Sequence, residues 1–175
     1  MNSKIYIFLI FIFTLMSSCR GQENNSFTKI NQTMPANNPH YSKTDTAKVQ
    51  TTDEEWRKIL SPEVYEIARN KGTERPFTSP FETSDEVGTY HCKACGNPLF
   101  KSNAKFESGC GWPSFFEPIS KASLIYQPDN SHGMRRTEVQ CGRCEAHLGH
   151  VFEDGPPPTG LRYCINGVIL DFDKQ

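Results

Sequence analysis

The sequence carries no surplus charge of either sign: 19 Lys and Arg stand against 20 Asp and Glu, a formal net charge of -1. A balance this even cannot coat a phosphate backbone, which excludes electrostatic binding of nucleic acid. Apolar residues are also scarce, at 36% of the 175 positions. Twelve of them crowd into residues 1–18, so the remainder has a thin supply for a core. The apolar run that opens the chain, Ile5 to Phe13, falls well short of the roughly 20 residues a membrane-spanning helix needs. The length suits one domain of ordinary size and leaves little room for two. Cysteine, by contrast, is plentiful, with seven residues. The count is odd, so pairing alone cannot account for all of them.

Lys4, the apolar run, and then Leu15-Met16-Ser17-Ser18 have the charge, length and small-residue ending of an export signal. An uncleaved anchor helix is the alternative. The ending before Cys19 resembles the lipobox of bacterial lipoproteins, with Met16 where Leu is usual. That resemblance implies that Cys19 is lipidated and becomes the mature N-terminus. It further implies an exported, membrane-anchored lipoprotein facing the periplasm or the cell exterior, where disulfides persist. Only seven of residues 20–50 are apolar, too few to offset the entropy of ordering that stretch. The expected organisation is a signal over 1–18, a lipidated N-terminus and flexible tether over 19–50, and a folded domain over 51–175.

The domain opens with a capping box, Thr52-Asp53-Glu54-Glu55, followed by Trp56, Ile59 and Leu60 at helical spacing. Ser61-Pro62-Glu63 starts a second helix with Val64, Ile67 and Ala68 on one face, closed by Lys71-Gly72. Beyond Pro80 the pattern turns to short strand candidates: 88–92, 123–126, 136–141, 150–152, 162–166 and 168–172. The expected fold class is therefore mainly β, with short helices gathered at the N-terminal end of the domain.

Cys92-Lys-Ala-Cys95 and Cys141-Gly-Arg-Cys144 are two CxxC knuckles, each followed or spaced by glycine. Four thiolates satisfy a tetrahedral zinc ion and leave it no open position, so such a zinc is structural. Two disulfides in an exported chain are the alternative. His147 and His150 lie close enough in sequence to compete as ligands, but four cysteines make them unnecessary. With Cys19 set aside, Cys110 and Cys164 remain. Cys110 sits in a glycine-flanked turn beside aromatics. Cys164 lies on a strand whose alternation puts Arg162 and Asn166 on its own face, and a nearby cation favours a nucleophilic thiolate. A plain structural disulfide, or an inert core thiol, fits these two residues equally well at this point.

Several blocks, taken together, resemble the B-type methionine sulfoxide reductases: Gly72-Thr-Glu-Arg-Pro-Phe77, Cys92-x-x-Cys95-Gly-x-Pro-Leu-Phe100, Ser108-Gly-Cys-Gly-Trp-Pro-Ser-Phe115, His132-Gly-Met-Arg-Arg-Thr-Glu138, Cys141-Gly-Arg-Cys-Glu-Ala-His-Leu-Gly-His-Val-Phe152 and Arg162-Tyr-Cys-Ile-Asn166. They run in order through residues 51–175. The stretch Pro80–Ser84 departs from the usual family wording. The resemblance implies small antiparallel sheets, a structural Zn2+ on Cys92, Cys95, Cys141 and Cys144, no organic cofactor, and stereospecific reduction of methionine-R-sulfoxide, free or in proteins. It makes Cys164 the nucleophile that becomes a sulfenic acid, and Cys110 the residue that resolves it to a disulfide for a thioredoxin-like reductant. His150 is then the first choice for the acid and His147 the second. Asn166 and Arg162 would orient substrate and favour the thiolate. Trp112 and Phe152 would form the apolar wall that distinguishes the epimers. Glu138 and Glu145 receive no role. A zinc-ribbon binding module would leave Cys110 and Cys164 without work, and a zinc hydrolase would need an open metal position; a lipid-anchored structural protein with a disulfide-stapled domain is the third rival.

Overall fold

The computed structural model describes residues 38–175; the expected export signal, Cys19 and the first part of the expected tether lie outside the described residues. Two short helices come first, α1 (Asp53–Ile59) and α2 (Pro62–Ala68). Both start as their sequences dictate: the Thr52 hydroxyl accepts the Glu55 N–H, and the Ser61 hydroxyl accepts the Val64 N–H. Their buried faces carry Trp56, Val64, Tyr65, Ile67 and Ala68. Each large apolar side chain so buried contributes about 1.5–3 kcal/mol. α2 packs against the region that carries the site.

Nine strands follow: β1 (Gly88–Cys92), β2 (Pro98–Lys101), β3 (Lys105–Phe106), β4 (Ser114–Phe115), β5 (Leu124–Asp129), β6 (Arg136–Cys141), β7 (His147–Phe152), β8 (Arg162–Ile165) and β9 (Leu170–Lys174). They form a three-stranded sheet, β2-β1-β9, and a six-stranded sheet, β3-β4-β8-β7-β6-β5. All the pairings are antiparallel. The mainly β class with small antiparallel sheets is thus as expected. β2, β3 and β4 are not among the expected strands, and four of the expected ones differ in extent, β8 ending at Ile165 rather than 166. β7 begins at His147 rather than at 150. β9 begins at Leu170, because Gly167–Ile169 form a turn of 3-10 helix. β5 runs on through Pro128, which an edge strand tolerates because no neighbour needs its missing N–H.

A run of rings joins the two sheets. Phe100 of β2 stacks on Phe115 of β4 at 4.3 Å between centroids, and Tyr90 of β1 meets Phe115 edge-on at 5.0 Å. Phe100 also tilts against Tyr163 of β8. Aromatic pairs of this kind add about 0.5–1.5 kcal/mol beyond their burial.

Residues 38–50 are polar in composition, yet they lie against the domain. The buried Arg143 side chain donates to the carbonyls of His40, Ser42 and Ala47 and to the Asp45 carboxylate. In the other direction, the Asn38 side-chain amide donates to Ala94 O, the Ser42 N–H to Cys95 O and the Val49 N–H to Arg143 O. The Tyr41 hydroxyl bonds Asp171 of β9. Hydrogen bonds carry most of this attachment, with Val49 packed against the core and the His40 ring against Trp56.

Candidate active site

The two knuckles end one strand from each sheet: Cys92 closes β1 and Cys141 closes β6, with Cys95 and Cys144 in the turns beyond. The four buried sulfurs all lie within 4.8 Å of one another. Cys92 Sγ is 3.7 Å from Cys144 Sγ, and Cys95 Sγ is 3.6 Å from Cys141 Sγ. A zinc–sulfur bond of about 2.3 Å gives a tetrahedron with edges of about 3.8 Å. The residues therefore fit the metal, and these separations are far longer than a disulfide bond of about 2.05 Å. Asn97 reinforces the junction by donating to Ser123 O and towards Cys141 Sγ.

The other two cysteines meet across β4 and β8. Ser114 of β4 pairs with Cys164 of β8, and the turn before β4 brings Cys110 Sγ within 3.6 Å of Cys164 Sγ. Both are thiols at that distance. Their environments differ. Burial, followed by the adjacent Cys110, pushes the Cys164 thiol up to about 12. Burial also opposes ionisation of Cys110, but hydrogen bonds from the Ser108 and Ser114 hydroxyls bring it down to about 7. Arg162 does act on Cys164 in the expected direction, yet it is outweighed. Its guanidinium is also held bidentately by Asp154, at 2.9 and 2.8 Å, and lies over the Phe152 ring at 4.5 Å.

Cys164 and Asn166 line an open pocket together with Trp112, His150 and Phe152, with Thr73, Arg136 and Gly149 completing its wall. Five of the residues expected from sequence thus share one cavity. β7 runs beside β8 in a register that sets His150 opposite Cys164. This close approach needs Gly149, where a β-carbon would sit 2.0 Å from the Cys164 carbonyl oxygen.

The two histidines have separate surroundings. His150 Nε2 lies 2.7 Å from Asp129 Oδ2, leaving Nδ1 for a ligand. Asp129 also accepts from the Ser131 N–H and from Arg136, and Ser131 first, then His150 and Arg136, hold its carboxyl well below the usual range. His147, only 3% exposed, is no part of the pocket wall; its Nδ1 is 2.7 Å from Glu138 Oε1, while Lys71 Nζ reaches Glu138 Oε2 at 2.7 Å. Burial holds the His147 pKa below its ordinary value.

Asn166 is fixed on both ends of its amide. Its Nδ2 donates to Leu148 O at 3.0 Å and its Oδ1 accepts the Glu74 N–H at 3.0 Å. Trp112 is oriented by donating Nε1 to Glu74 O at 3.3 Å. Asp129, Arg136, Thr73 and Glu74 join the site without a role expected from sequence. A hairpin reading of 124–141 would have found the first pair, since Asp129 and Arg136 face each other in the β5–β6 register.

The SelR domain family matches residues 60–174 of the chain. Among characterised sequences, the chain is 62% identical over 128 residues to "Peptide methionine sulfoxide reductase MsrB" of Pseudomonas putida (strain W619), an alignment covering 73% of this chain and 96% of that protein. A protein of the same name from Chromohalobacter salexigens is 60% identical over 126 residues, 71% of this chain and 95% of its own length. Another, from Agrobacterium fabrum (strain C58), is 56% identical over 126 residues, 72% and 93% respectively.

Proposed function

Because the chain belongs to the B-type methionine sulfoxide reductases, we propose that the pocket shared by Cys164, His150 and Trp112 is where the sulfoxide is bound and reduced. The enzyme is an oxidoreductase that converts methionine-R-sulfoxide to methionine. The observation that carries the assignment of roles is that Cys164 lines the pocket beside His150, while Cys110 stands behind it at 3.6 Å and lines none of it.

The substrate methyl group rests against Trp112 and Phe152, which turns one face of the sulfur towards Cys164. Sulfurs this close share one negative charge. It rests on Cys110 in the empty site, whose two hydroxyl donors favour it there, and moves to Cys164 as attack begins. The Cys164 sulfur attacks the sulfoxide sulfur, the S–O bond breaks, and the oxygen is transferred to Cys164 as a sulfenic acid while methionine leaves. A proton from His150 meets the charge that develops on this oxygen. Asn166 holds the oxygen side of the substrate, and Arg162 keeps the Phe152 ring in place. Cys110 then attacks the sulfenic sulfur, forming the Cys110–Cys164 disulfide and releasing the oxygen as water. A thioredoxin-like dithiol returns both cysteines to thiols by exchange. No organic cofactor enters this cycle.

Cys92, Cys95, Cys141 and Cys144 would hold Zn2+, which supplies folding free energy and no chemistry, since no ligand position is left open. The N-terminal segment supports an exported lipoprotein anchored through Cys19. On that reading the electron donor is a periplasmic dithiol protein re-reduced across the membrane.

Methionine release from methionine-R-sulfoxide, measured with dithiothreitol and with a thioredoxin system, tests the division of roles. Cys164→Ser is expected to lose turnover with both reductants. Cys110→Ser is expected to keep the dithiothreitol-driven reaction and lose the thioredoxin-driven one. Full thioredoxin-linked turnover in Cys110→Ser would remove Cys110 from the mechanism.

A further inference from the structure

The loop Thr73–Phe77, between α2 and β1, touches both cysteine-bearing segments, and most of those contacts pass through one residue. The Glu74 carboxylate accepts the Gly167 N–H at 2.6 Å and the Val168 N–H at 2.9 Å, gripping the chain directly after β8. Its backbone N–H donates to Asn166 Oδ1. Its carbonyl accepts Trp112 Nε1, two residues beyond Cys110. Three residues further on, the Phe77 N–H donates to Gly111 O at 2.7 Å. Gly111 has a φ of +92°, and a β-carbon there would lie 2.7 Å from Pro76, so the loop and the Cys110 turn are in close contact.

On the Cys110 side the secondary-structure ladder that runs parallel to this link is short. The Cys110 turn is tied to β8 by β4, a strand of two residues, and by a single further bond from the Ile165 N–H to Pro113 O. Glu74 is half-buried, and burial raises its pKa, an effect opposed by the two N–H donors from Gly167 and Val168.

We propose that Glu74 is a positioning residue that holds the Cys110 turn and the Cys164 strand at the separation needed for the resolving step. The proposal rests on Cys164 being the nucleophile and Cys110 the resolving residue. The step itself forms the S–S bond and breaks the S–O bond of the Cys164 sulfenic acid. The Cys110 thiol proton leaves with that oxygen as water. Two sulfurs must close from 3.6 Å to bonding distance, and a misplacement near 1 Å costs about a hundredfold in such reactions. Loss of the carboxylate grip leaves attack on substrate, which needs only Cys164 and the pocket, less affected than closure of the disulfide.

The test is a single turnover of the full-length, reduced protein with one equivalent of methionine-R-sulfoxide in the presence of dimedone, which traps sulfenic acid. Mass spectrometry then reads the ratio of dimedone adduct to Cys110–Cys164 disulfide. Glu74→Ala is expected to raise that ratio about tenfold over the wild type, and Glu74→Gln, which keeps one acceptor oxygen, by less. Ile67→Val, a core change in α2, serves as a control for lost stability and is expected to leave the ratio unchanged. An unaltered ratio in Glu74→Ala overturns the proposal. A ratio that rises equally in Ile67→Val overturns it too, because general loosening would then suffice. If the wild type itself forms methionine without either Cys164 product, the cysteine assignments fail first, and the two failures are distinguishable.

Discussion

Replacing the two histidines separately divides chemistry from architecture. His150 lines the pocket, and its Nε2 is committed to Asp129, so the proposed proton transfer falls to its remaining ring nitrogen. General acid catalysis contributes about 10²–10⁴-fold, or roughly 3–5 kcal/mol of barrier. His150→Ala should therefore lose two to four orders of magnitude, roughly, in the single-turnover rate of methionine release, with a smaller loss of stability because Ser131 and Arg136 continue to hold Asp129. His147 behaves in the opposite way. Its ring is buried and bonded to a buried carboxylate, so truncation removes a hydrogen bond to a charged group, worth about 1.5–3 kcal/mol. Lys71 continues to neutralise Glu138 and limits the damage. For a domain of this size that loss lowers Tm by roughly 5–10 °C. The rate in His147→Ala should stay within about fivefold of wild type, since a residue away from the reacting atoms adds no direct acid term. The assay is quenched-flow methionine formation with substrate limiting, so that reductant chemistry does not enter, beside thermal unfolding of both variants. If His147→Ala loses as much rate as His150→Ala at a temperature where both are folded, the separation of roles is wrong.

Two further outcomes concern the same groups and the knuckles. Glu138 has its pKa lowered in the fold by Lys71 and His147 against the pull of burial, and burial lowers that of His147. In both cases the unfolded chain binds the proton more readily, so each contributes stability that is present above the unfolded pKa values and is lost as pH falls. The urea midpoint should fall steadily from pH 7 towards pH 4, and less steeply in Glu138→Gln; equal slopes in the two proteins would dismiss this pair as the origin. Metal analysis of the purified chain should find one zinc per molecule. Its removal by a chelator under reducing conditions should abolish the cooperative thermal transition, because such sites contribute about 10–16 kcal/mol against a typical total of 5–15. An unchanged transition after zinc loss would show the four cysteines to be dispensable for folding.

Local chemistry makes parts of this molecule legible from its residues. Thr52 and Ser61 announce helix starts because a cap is decided within three residues. The CxxC pairs announce the four-sulfur cluster because two sulfurs on a two-residue spacer can reach one ion. Cys110 and Cys164 are ambiguous from their own surroundings, and only the resemblance of whole blocks assigns them. What escapes depends on contacts distant in sequence. Asp129 follows Pro128, which reads as a strand breaker, and only the edge position of β5 makes that proline harmless. Glu74 acts 38 residues away on Trp112 and 93 residues away on Gly167, a pairing no local pattern carries. The Cys164 shift runs opposite to the direction its neighbour Arg162 suggests, since sequence shows the cation but neither the burial of Cys164 nor the approach of Cys110 from 54 residues away. Residues 38–50 read as tether by composition, because hydrogen bonds to carbonyls leave no apolar signature.

That last segment has a mechanical consequence. A pull on the chain at residue 38 does not load the pocket first. It is taken up by Asn38 on Ala94, Ser42 on Cys95 and the Arg143 side chain on four residues at once, all of them in or against the two knuckles. Force therefore enters where one strand of each sheet ends at the four-cysteine cluster. The pocket with Cys164 and His150 lies downstream of that junction, so the enzyme can be held by its N-terminal side without the geometry of its reacting groups being strained.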